Sequence, residues 1–268
     1  MEINILLENI ARDKKYETEH GLSLIISACG KTILLDTGQS DSFLKNAKVM
    51  GVDIASVDFA VISHFHYDHS GGLKYFLDAN KTAKVYIGAQ AFAKYYVDDG
   101  EMRYFGLSEE NFDMSRFIFV DDYMQAAEGV SIISKLGYTY DNPLNNKFYK
   151  LEDSGYIKDD FSHEIAIVIE ENGECALLSG CFHSGVVNSL KRADSLGYRV
   201  KKVLGGFHLS GSNGNAGKKY IDALVEFLQE NGIKSYTGHC TGTYYLNELQ
   251  DRLDGSVFAL YTGARYIL

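Results

Sequence analysis

The chain contains 268 residues, and 46% of them carry hydrophobic side chains, so it can bury a large core and is expected to form one domain. The formal net charge of −10 would repel polyanions, which argues against a general nucleic-acid-binding or membrane-surface protein. The amino terminus carries acids and no basic leader, and no stretch approaches the roughly 20 apolar residues that span a bilayer, so we expect a cytoplasmic protein.

Short apolar, β-branched runs alternate along the chain with segments of helical periodicity. The runs predict strands at Ile3–Leu7, Leu22–Ser27, Thr32–Leu35, Phe59–Ile62, Lys84–Ile87, Ile118–Val120, Val130–Ser134, Ile165–Ile169, Ala176–Leu178, Val200–Leu204, Ser235–Thr237 and Val257–Leu260. The periodic segments predict helices at Asp41–Met50, Gly72–Asp78, Gln90–Tyr96, Ser184–Ser195, Ala216–Asn231 and Thr243–Leu253. This alternation predicts an α/β fold with two sheets and helices outside them, a four-layer αββα sandwich.

Two segments, Val97–Phe117 and Gly137–Phe161, do not fit the alternation. Both are rich in Asp, Glu, Asn, Gly and Tyr, so we expect insertions that run over the surface as lids or binding loops. Four tyrosines of the second segment are candidates either to stack on a substrate ring or to form a subunit contact: Tyr138, Tyr140, Tyr149 and Tyr156.

The stretch from His64 to His69, with the sequence HFHYDH, places four metal-binding side chains in six residues. An apolar strand leads into it and a helix start follows, so these side chains lie on a strand-to-helix loop, where α/β folds place their chemistry. The alternating His64 and His66 can approach one cation, and the adjacent Asp68 and His69 can face a second. Imidazole and carboxylate suit zinc, manganese or iron. A solvated histidine-rich loop is the alternative, and the preceding hydrophobic strand disfavours it.

Four further histidines lie at the ends of predicted strands. His163 precedes the strand that begins at Ile165, His183 follows the next strand together with Cys181, and His208 and His239 follow the two strands after that. Each one alone is typical of a hydrogen-bonded structural histidine. Their shared placement beside glycine and serine points instead to a site, because small residues let a ligand approach the backbone.

Along the chain, a strand is followed by His-x-His-x-Asp-His, then by a later His, a Cys or Asp after a following strand, and a final His. This order resembles the metallo-β-lactamase superfamily over essentially the whole chain. Five stretches resemble its branch of dihydropterin ribofuranosylaminobenzene phosphate synthases and metal-dependent hydrolases: Glu19–Ser23, Leu35–Gly38, Ser179–His183, Gly205–Leu209 and Gly238–Gly242. The resemblance implies that His64 and His66 hold a first metal and that Asp68, His69 and His239 hold a second.

The resemblance also implies a role for Asp36, as an outer residue that orients the histidine loop. Cys181 stands where the superfamily usually has a bridging Asp, and it binds one metal or neither. Two histidines are candidates for the third ligand of the first metal. His163 precedes the strand that leads to Cys181, which is the position of the third ligand in the lactamases. His183 lies in a Cys-x-His motif before a helix, which is typical of the branch that this chain resembles. We predict His183, which leaves His163, with Glu164 as its partner, for substrate contact or proton transfer.

The function predicted from these residues is a binuclear metal-dependent hydrolase, or a related synthase, that activates water for attack on a small substrate. Two divalent cations are expected, zinc before manganese or iron, with Asp68 as the proton shuttle. We expect His163, His208 and Cys181 to contact the substrate.

A phosphorylated, anionic substrate is favoured by three glycine-containing helix starts, at Ser184–Gly185, Gly211–Gly217 and Thr241–Thr243, with Lys218 and Lys219 after the second. The protein acts alone or as an oligomer. The alternatives are an iron-dependent redox enzyme of the same fold and a metal-dependent ligand-binding protein without turnover.

Overall fold

The computed structural model describes residues 1–107, 111–137, 147–210 and 214–268. The strands in these ranges are β1 (Glu2–Leu7), β2 (Ser23–Ala28), β3 (Lys31–Leu35), β4 (Phe59–Val61), β5 (Lys84–Gly88), β6 (Lys94–Asp98), β7 (Met102–Tyr104), β8 (Phe117–Val120), β9 (Tyr123–Ala127), β10 (Val130–Ile133), β11 (Phe148–Glu152), β12 (Gly155–Lys158), β13 (Ala166–Glu171), β14 (Glu174–Leu178), β15 (Lys202–Gly206), β16 (Lys234–Gly238), β17 (Val257–Ala259) and β18 (Arg265–Ile267). The α-helices are α1 (Ser42–Met50), α2 (Tyr67–Ser70), α3 (Leu73–Ala79), α4 (Val186–Ser195), α5 (Gly214–Glu230) and α6 (Thr243–Arg252). Within the described ranges, no helix is long and apolar enough to cross a bilayer.

Two seven-stranded sheets form the body of the protein. The first has the order β18-β1-β2-β3-β4-β5-β8 and the second the order β17-β16-β15-β14-β13-β10-β9. In the first sheet β3, β4, β5 and β8 are parallel, and in the second β14, β15, β16 and β17 are parallel. The remaining neighbours in both sheets pair antiparallel.

Three apolar clusters separate four layers of structure. The middle cluster joins the two sheets through residues such as Ile26 and Ile167. A second cluster holds α1 and α3 against the outer face of the first sheet, with Phe43 and Phe76 buried there. The third holds α4, α5 and α6 against the second sheet, and α5 contributes the stripe predicted from the sequence: Ile221, Leu224, Val225 and Leu228. The predicted four-layer αββα sandwich is therefore confirmed.

The two predicted surface insertions contain strands rather than irregular loops. β7 from the first and β11 and β12 from the second join β6 in a four-stranded sheet of order β12-β11-β6-β7. The prediction of a helix at Gln90–Tyr96 is wrong, because Lys94–Asp98 is a strand of this sheet. Buried Tyr95 and Val97 alternate with more exposed residues, so the period is that of a strand.

The strands that run in one direction end at one edge of the sandwich. In the first sheet β1, β3 and β4 share a direction, since β1 and β3 are both antiparallel to β2. Asn9, Asp36 and His64 follow the carboxyl ends of these three strands. In the second sheet His183, His208 and His239 follow β14, β15 and β16. Both sheets therefore deliver their polar side chains to the same edge.

Candidate metal centre

The histidine loop begins three residues after the end of β4 and passes into α2. His66 has extended backbone angles, φ −72° and ψ 145°, and directly precedes the helix. It forms a bridge with Gly106, and Tyr67 N–H donates to the Phe105 carbonyl at 3.0 Å. These contacts fix the loop between the first sheet and the four-stranded sheet, with His64, Asp68 and their neighbours turned inward.

His64, His66 and His183 form a first set of candidate ligands. The Nε2 atoms of His64 and His183 are 3.2 Å apart, and one ring nitrogen of each histidine lies within 4.8 Å of the others. Two ligand atoms that each lie about 2.1 Å from a tetrahedral zinc ion are about 3.4 Å apart, so the spacing suits one shared cation. Burial lowers the pKa of His64 and His183 well below 6.5 and that of His66 to about 3. Neutral imidazoles present the lone pair that binds metal.

Asp68, His69 and His239 form a second set. The Nε2 atoms of His69 and His239 are 3.1 Å apart, and Asp68 Oδ2 lies 3.3 Å from His239 Nε2. Burial lowers the pKa of His239 to about 4. Burial would raise the pKa of Asp68, but the charge of His69 and the contacts with His20 and His239 hold it well below its usual range. Burial would lower the pKa of His69, but the charges of Asp68 and Asp36 raise it, so a cation at this set would displace a proton from the His69 ring. The resulting carboxylate beside two imidazoles is a donor set suited to a divalent cation.

Outer side chains orient the ligands. Asp36 accepts hydrogen bonds at 2.7 Å from the backbone N–H and from Oγ of Ser63, as the resemblance implied. The hydroxyl of Ser63 also lies 2.8 Å from His64 Nδ1, so it accepts from that nitrogen and leaves His64 Nε2 free for a cation. Asn9 Oδ1, 3.0 Å from His239 Nδ1, fixes the second set in the same way.

Cys181 lies between the two sets. Its Sγ is 3.1 Å from His69 Nε2, and it groups within 4.8 Å with ligand atoms of His64 and His69. Burial raises the pKa of this thiol well above its usual value, so deprotonation requires a neighbouring cation. The sulfur thus lies within reach of both candidate ligand sets, and whether it binds one metal or neither stays a prediction.

His163 sits beside the first set and is held by a carboxylate. Its Nε2 lies 3.2 Å from Asp159 Oδ2, and its ring stacks on Tyr95 with centroids 4.0 Å apart. Its hydrogen-bond partner is therefore Asp159 rather than the predicted Glu164. Glu164 instead accepts from the backbone N–H groups of His183 and Ser184 at 2.7 and 2.8 Å. Through these bonds it positions the loop that carries His183.

His208 faces the first set from the second sheet. Its ring centroid is 4.2 Å from that of His183 and 5.5 Å from that of Phe148. Its Nδ1 is buried without a hydrogen-bond partner in the described part of the chain. Burial, followed by the charge of Lys147, lowers its pKa to about 3. A neutral imidazole is thus available to a substrate.

Phenylalanines of the four-stranded sheet and its edges form an apolar wall over the histidines. Phe161 stacks on His183 at 4.6 Å, and Phe148 stacks on His66 at 5.4 Å. Tyr149 follows Phe148 on the opposite face of β11 and contacts Lys158, while Tyr156 packs on Tyr96, so neither lies over the histidines, which was one of the two predicted alternatives. The two remaining predicted tyrosines, Tyr138 and Tyr140, lie outside the described residues.

Asn9, Asp159 and His20 belong to the site but were missed by sequence reasoning. Asn9 follows the carboxyl end of β1, which is the same signal that identified the histidines. Asp159 carried no such signal, because the strand before it was not recognised. His20 lies in one of the stretches that carry the family resemblance, and its Nε2 is 3.3 Å from Asp68 Oδ2.

Known proteins resemble this chain in sequence and in structure. Residues 17–137 match the sequence model of the metallo-beta-lactamase superfamily. The uncharacterized protein MJ0448 of Methanocaldococcus jannaschii is 30% identical over 255 residues, which cover 92% of this chain and 93% of that protein. The 7,8-dihydropterin-6-methyl-4-(beta-D-ribofuranosyl)-aminobenzene-5'-phosphate synthase of the same organism is 26% identical, with 97% and 95% covered.

Two solved structures share the fold. Tm1679, described as a metal-dependent hydrolase of the beta-lactamase superfamily, superposes with a TM-score of 0.85 at 27% identity and covers 100% of this chain and 99% of its own. Zn(2+)-bound PqqB from Methylobacterium extorquens superposes with a TM-score of 0.57 at 14% identity and covers all of both chains, which shows a common fold alone.

Proposed function

Because this chain belongs to the metallo-β-lactamase superfamily, we propose that it is a binuclear metal-dependent hydrolase, or a synthase of related chemistry, that acts on a small phosphorylated molecule. The observation that carries the proposal is the spacing of the donor atoms. The Nε2 pair of His64 and His183 and the Nε2 pair of His69 and His239 are separated by 3.2 and 3.1 Å, close to the edge of one zinc coordination tetrahedron.

In this proposal each set of residues holds one divalent cation. The first cation is bound by His64, His66 and His183. The second is bound by Asp68, His69 and His239. Imidazole, carboxylate and the nearby thiol of Cys181 form a donor mixture that suits zinc, with manganese or iron as poorer matches to the sulfur. His66 Nε2 and Asp68 Oδ1 support this reading, because both atoms are buried without a hydrogen-bond partner among the described residues.

The bound cations would lower the pKa of a water molecule and stabilise oxygens that gain negative charge. Asp68 is the proton acceptor in this scheme. Its Oδ2 is engaged by His239 and His20, whereas Oδ1 is free within the described residues to take a proton from water. His163, His208 and Cys181 border the same space and are assigned to substrate contact. The phenylalanine wall excludes bulk water and strengthens these polar interactions.

An anionic substrate is supported by features around the edge of the site. The helices α4 and α6 begin next to Gly185 and Gly242, directly after the loops that carry His183 and His239, so the positive ends of their dipoles lie near the site. Lys147 lies close enough to His208 to lower its pKa. The 26% identical relative is a synthase whose name includes a 5'-phosphate, which agrees with a phosphorylated substrate here.

The test begins with protein purified without added metal. Elemental analysis should give about two metal ions per chain, mainly zinc, and a panel of chromogenic phosphodiesters, phosphomonoesters, esters and lactones should contain a substrate. His64→Ala and Asp68→Ala should each lose one metal ion and lower turnover by orders of magnitude while remaining folded. The exposed Lys81→Ala variant is the matched control. Full metal content and turnover in both site variants would exclude a binuclear hydrolase, and iron with oxygen consumption would favour the redox alternative.

A further inference from the structure

His20 closes the second ligand set from the solvent side. Its Nε2 lies 3.3 Å from Asp68 Oδ2, which is the same distance that separates this oxygen from His239 Nε2. The rings of His20 and His239 are 4.7 Å apart, and the three donor atoms lie within 4.8 Å of one another. The spacing around Asp68 Oδ2 therefore repeats the spacing within the two ligand sets described above.

The backbone next to His20 is attached to the second set at two points. Leu22 N–H donates to the Asp68 carbonyl at 3.3 Å, and Gly21 N–H donates to Asn9 Oδ1 at 3.2 Å. The same Asn9 oxygen lies 3.0 Å from His239 Nδ1. A single asparagine thus positions His239 and the turn that carries His20.

Gly21 is required for this approach. A Cβ atom at this position would lie 2.6 Å from the Asp68 carbonyl oxygen, and its φ of +158° is rarely adopted by other residues. The turn is therefore built to bring residue 20 against Asp68. A side chain that served only as a surface group would need none of these contacts.

We propose that His20 is a further protein ligand of the second cation, supplied from outside the histidine loop. This inference rests on the binuclear centre proposed above. The side chain of His20 is 51% exposed, against 5% for Asp68 and 0% for His239, so it is the member of the group that faces solvent. Loss of the His20 side chain should weaken the binding of the second cation. Binding of the first cation, by His64, His66 and His183, should not change.

Cobalt-loaded protein provides a readout that does not depend on activity. Ring protons of an imidazole bound to Co²⁺ show strongly shifted NMR signals, and competition with a chromophoric chelator gives the affinity of each cobalt equivalent. In His20→Ala, one set of shifted imidazole signals should disappear, and the second cobalt equivalent should bind about tenfold or more weakly. The first equivalent should keep its affinity.

His20→Gln separates a ligand from a residue that only orients Asp68. The Gln amide can still donate a hydrogen bond to Asp68 Oδ2, but it is a poor ligand for Co²⁺. Loss of the signals and affinity in both variants supports the proposal. Wild-type behaviour of the Gln variant, or an unchanged set of signals in both variants, overturns it. Wild-type protein that binds fewer than two cobalt ions overturns the binuclear centre as well. Thermal melts of the metal-free proteins show that both variants fold.

Discussion

The carboxylate of Asp36 lies 2.7 Å from Nδ1 of His69 and is fully buried. It also accepts from the backbone N–H and the hydroxyl of Ser63, at the start of the histidine loop. Asp36 thus joins the turn after β3 to both ends of the loop. Because it accepts the proton of Nδ1, it leaves Nε2 of His69 directed at Cys181 and His239.

The first prediction concerns this contact. Asp36→Asn keeps the size of the side chain but replaces one acceptor oxygen with a donor, so Nδ1 of His69 loses its partner. We expect the second metal ion to bind about 10- to 100-fold more weakly. Chelator competition measures the affinity, and Asp58→Asn, an exposed pair of Lys31, is the control. Equal affinity in wild type and Asp36→Asn would show that the second set does not depend on Asp36.

The second prediction concerns Gly180, which packs against the same network. A Cβ atom there would lie 2.2 Å from Ser63 Oγ and 2.5 Å from Asp36 Oδ2. Gly180→Ala should lower the free energy of unfolding by about 1–3 kcal/mol, because buried atoms must shift to admit the methyl group. Urea unfolding measures this value. Gly30→Ala provides the contrasting case of backbone strain without a clash, since its φ is +69° and its Cβ would meet nothing within 4 Å, whereas Gly180 has no positive φ. An unchanged free energy of unfolding in Gly180→Ala would contradict the steric argument.

Much of the fold was predictable because the buried strands consist of continuous apolar runs. The four-stranded sheet was not, because its strands are half exposed and rich in Tyr and Lys, and their period-two pattern is weak. The segment around Tyr95 shows the ambiguity. Its apolar residues suit either a helical face or a strand, and only pairing with β7 and β11 selects the strand.

The ligand loop was predictable from spacing, His208 and His239 from their place after strands, and Asp36 from the family resemblance, whereas the supporting side chains of Asn9 and Asp159 were not. Asp36, Phe182, His208 and His239 all have positive φ angles between 47° and 57°, which non-glycine residues rarely adopt. No sequence pattern marks such backbone conformations. The choice between His183 and His163 likewise depends on distances across the two sheets.

The third prediction addresses that choice. His183 Nε2 lies 3.2 Å from His64 Nε2, whereas His163 Nε2 is engaged by Asp159. Metal titration of His183→Ala should therefore show a large loss of affinity for the first cation, and titration of His163→Ala should show near-wild-type affinity with reduced turnover. The reverse result would make His163 the ligand.

The fourth prediction tests the class of substrate. If the start of α5 binds a phosphate group, inorganic phosphate should compete with substrate, and Lys218→Ala or His208→Ala should raise KM more than it lowers kcat. Lys218 lies exposed on the first turns of this helix, and the preceding residues 211–213 lie outside the described chain. Steady-state kinetics with and without phosphate measure both effects, with Lys81→Ala as the control. Unchanged KM and no inhibition by phosphate would indicate a neutral substrate such as an ester or lactone.

The last prediction concerns the pH dependence of stability. Burial would raise the pKa of Asp159. The charge of His163, a hydrogen bond from His163 and a hydrogen bond from the backbone N–H of Phe161 nevertheless hold this pKa below its usual value. A carboxylate with a lowered pKa in the folded state stabilises the protein above the pKa of the unfolded chain, about 3.9, and this contribution is lost as the pH falls through the folded-state value.

Asp159→Asn should therefore destabilise the metal-free protein most between about pH 5 and 7, and the difference from wild type should shrink as the pH falls below about 4. Urea unfolding at a series of pH values measures this difference. The exposed Asp153→Asn variant should stay close to wild type throughout, because its side chain is in solvent. A difference that stays constant or grows towards acid pH would show that the ionised carboxylate of Asp159 does not stabilise the folded protein.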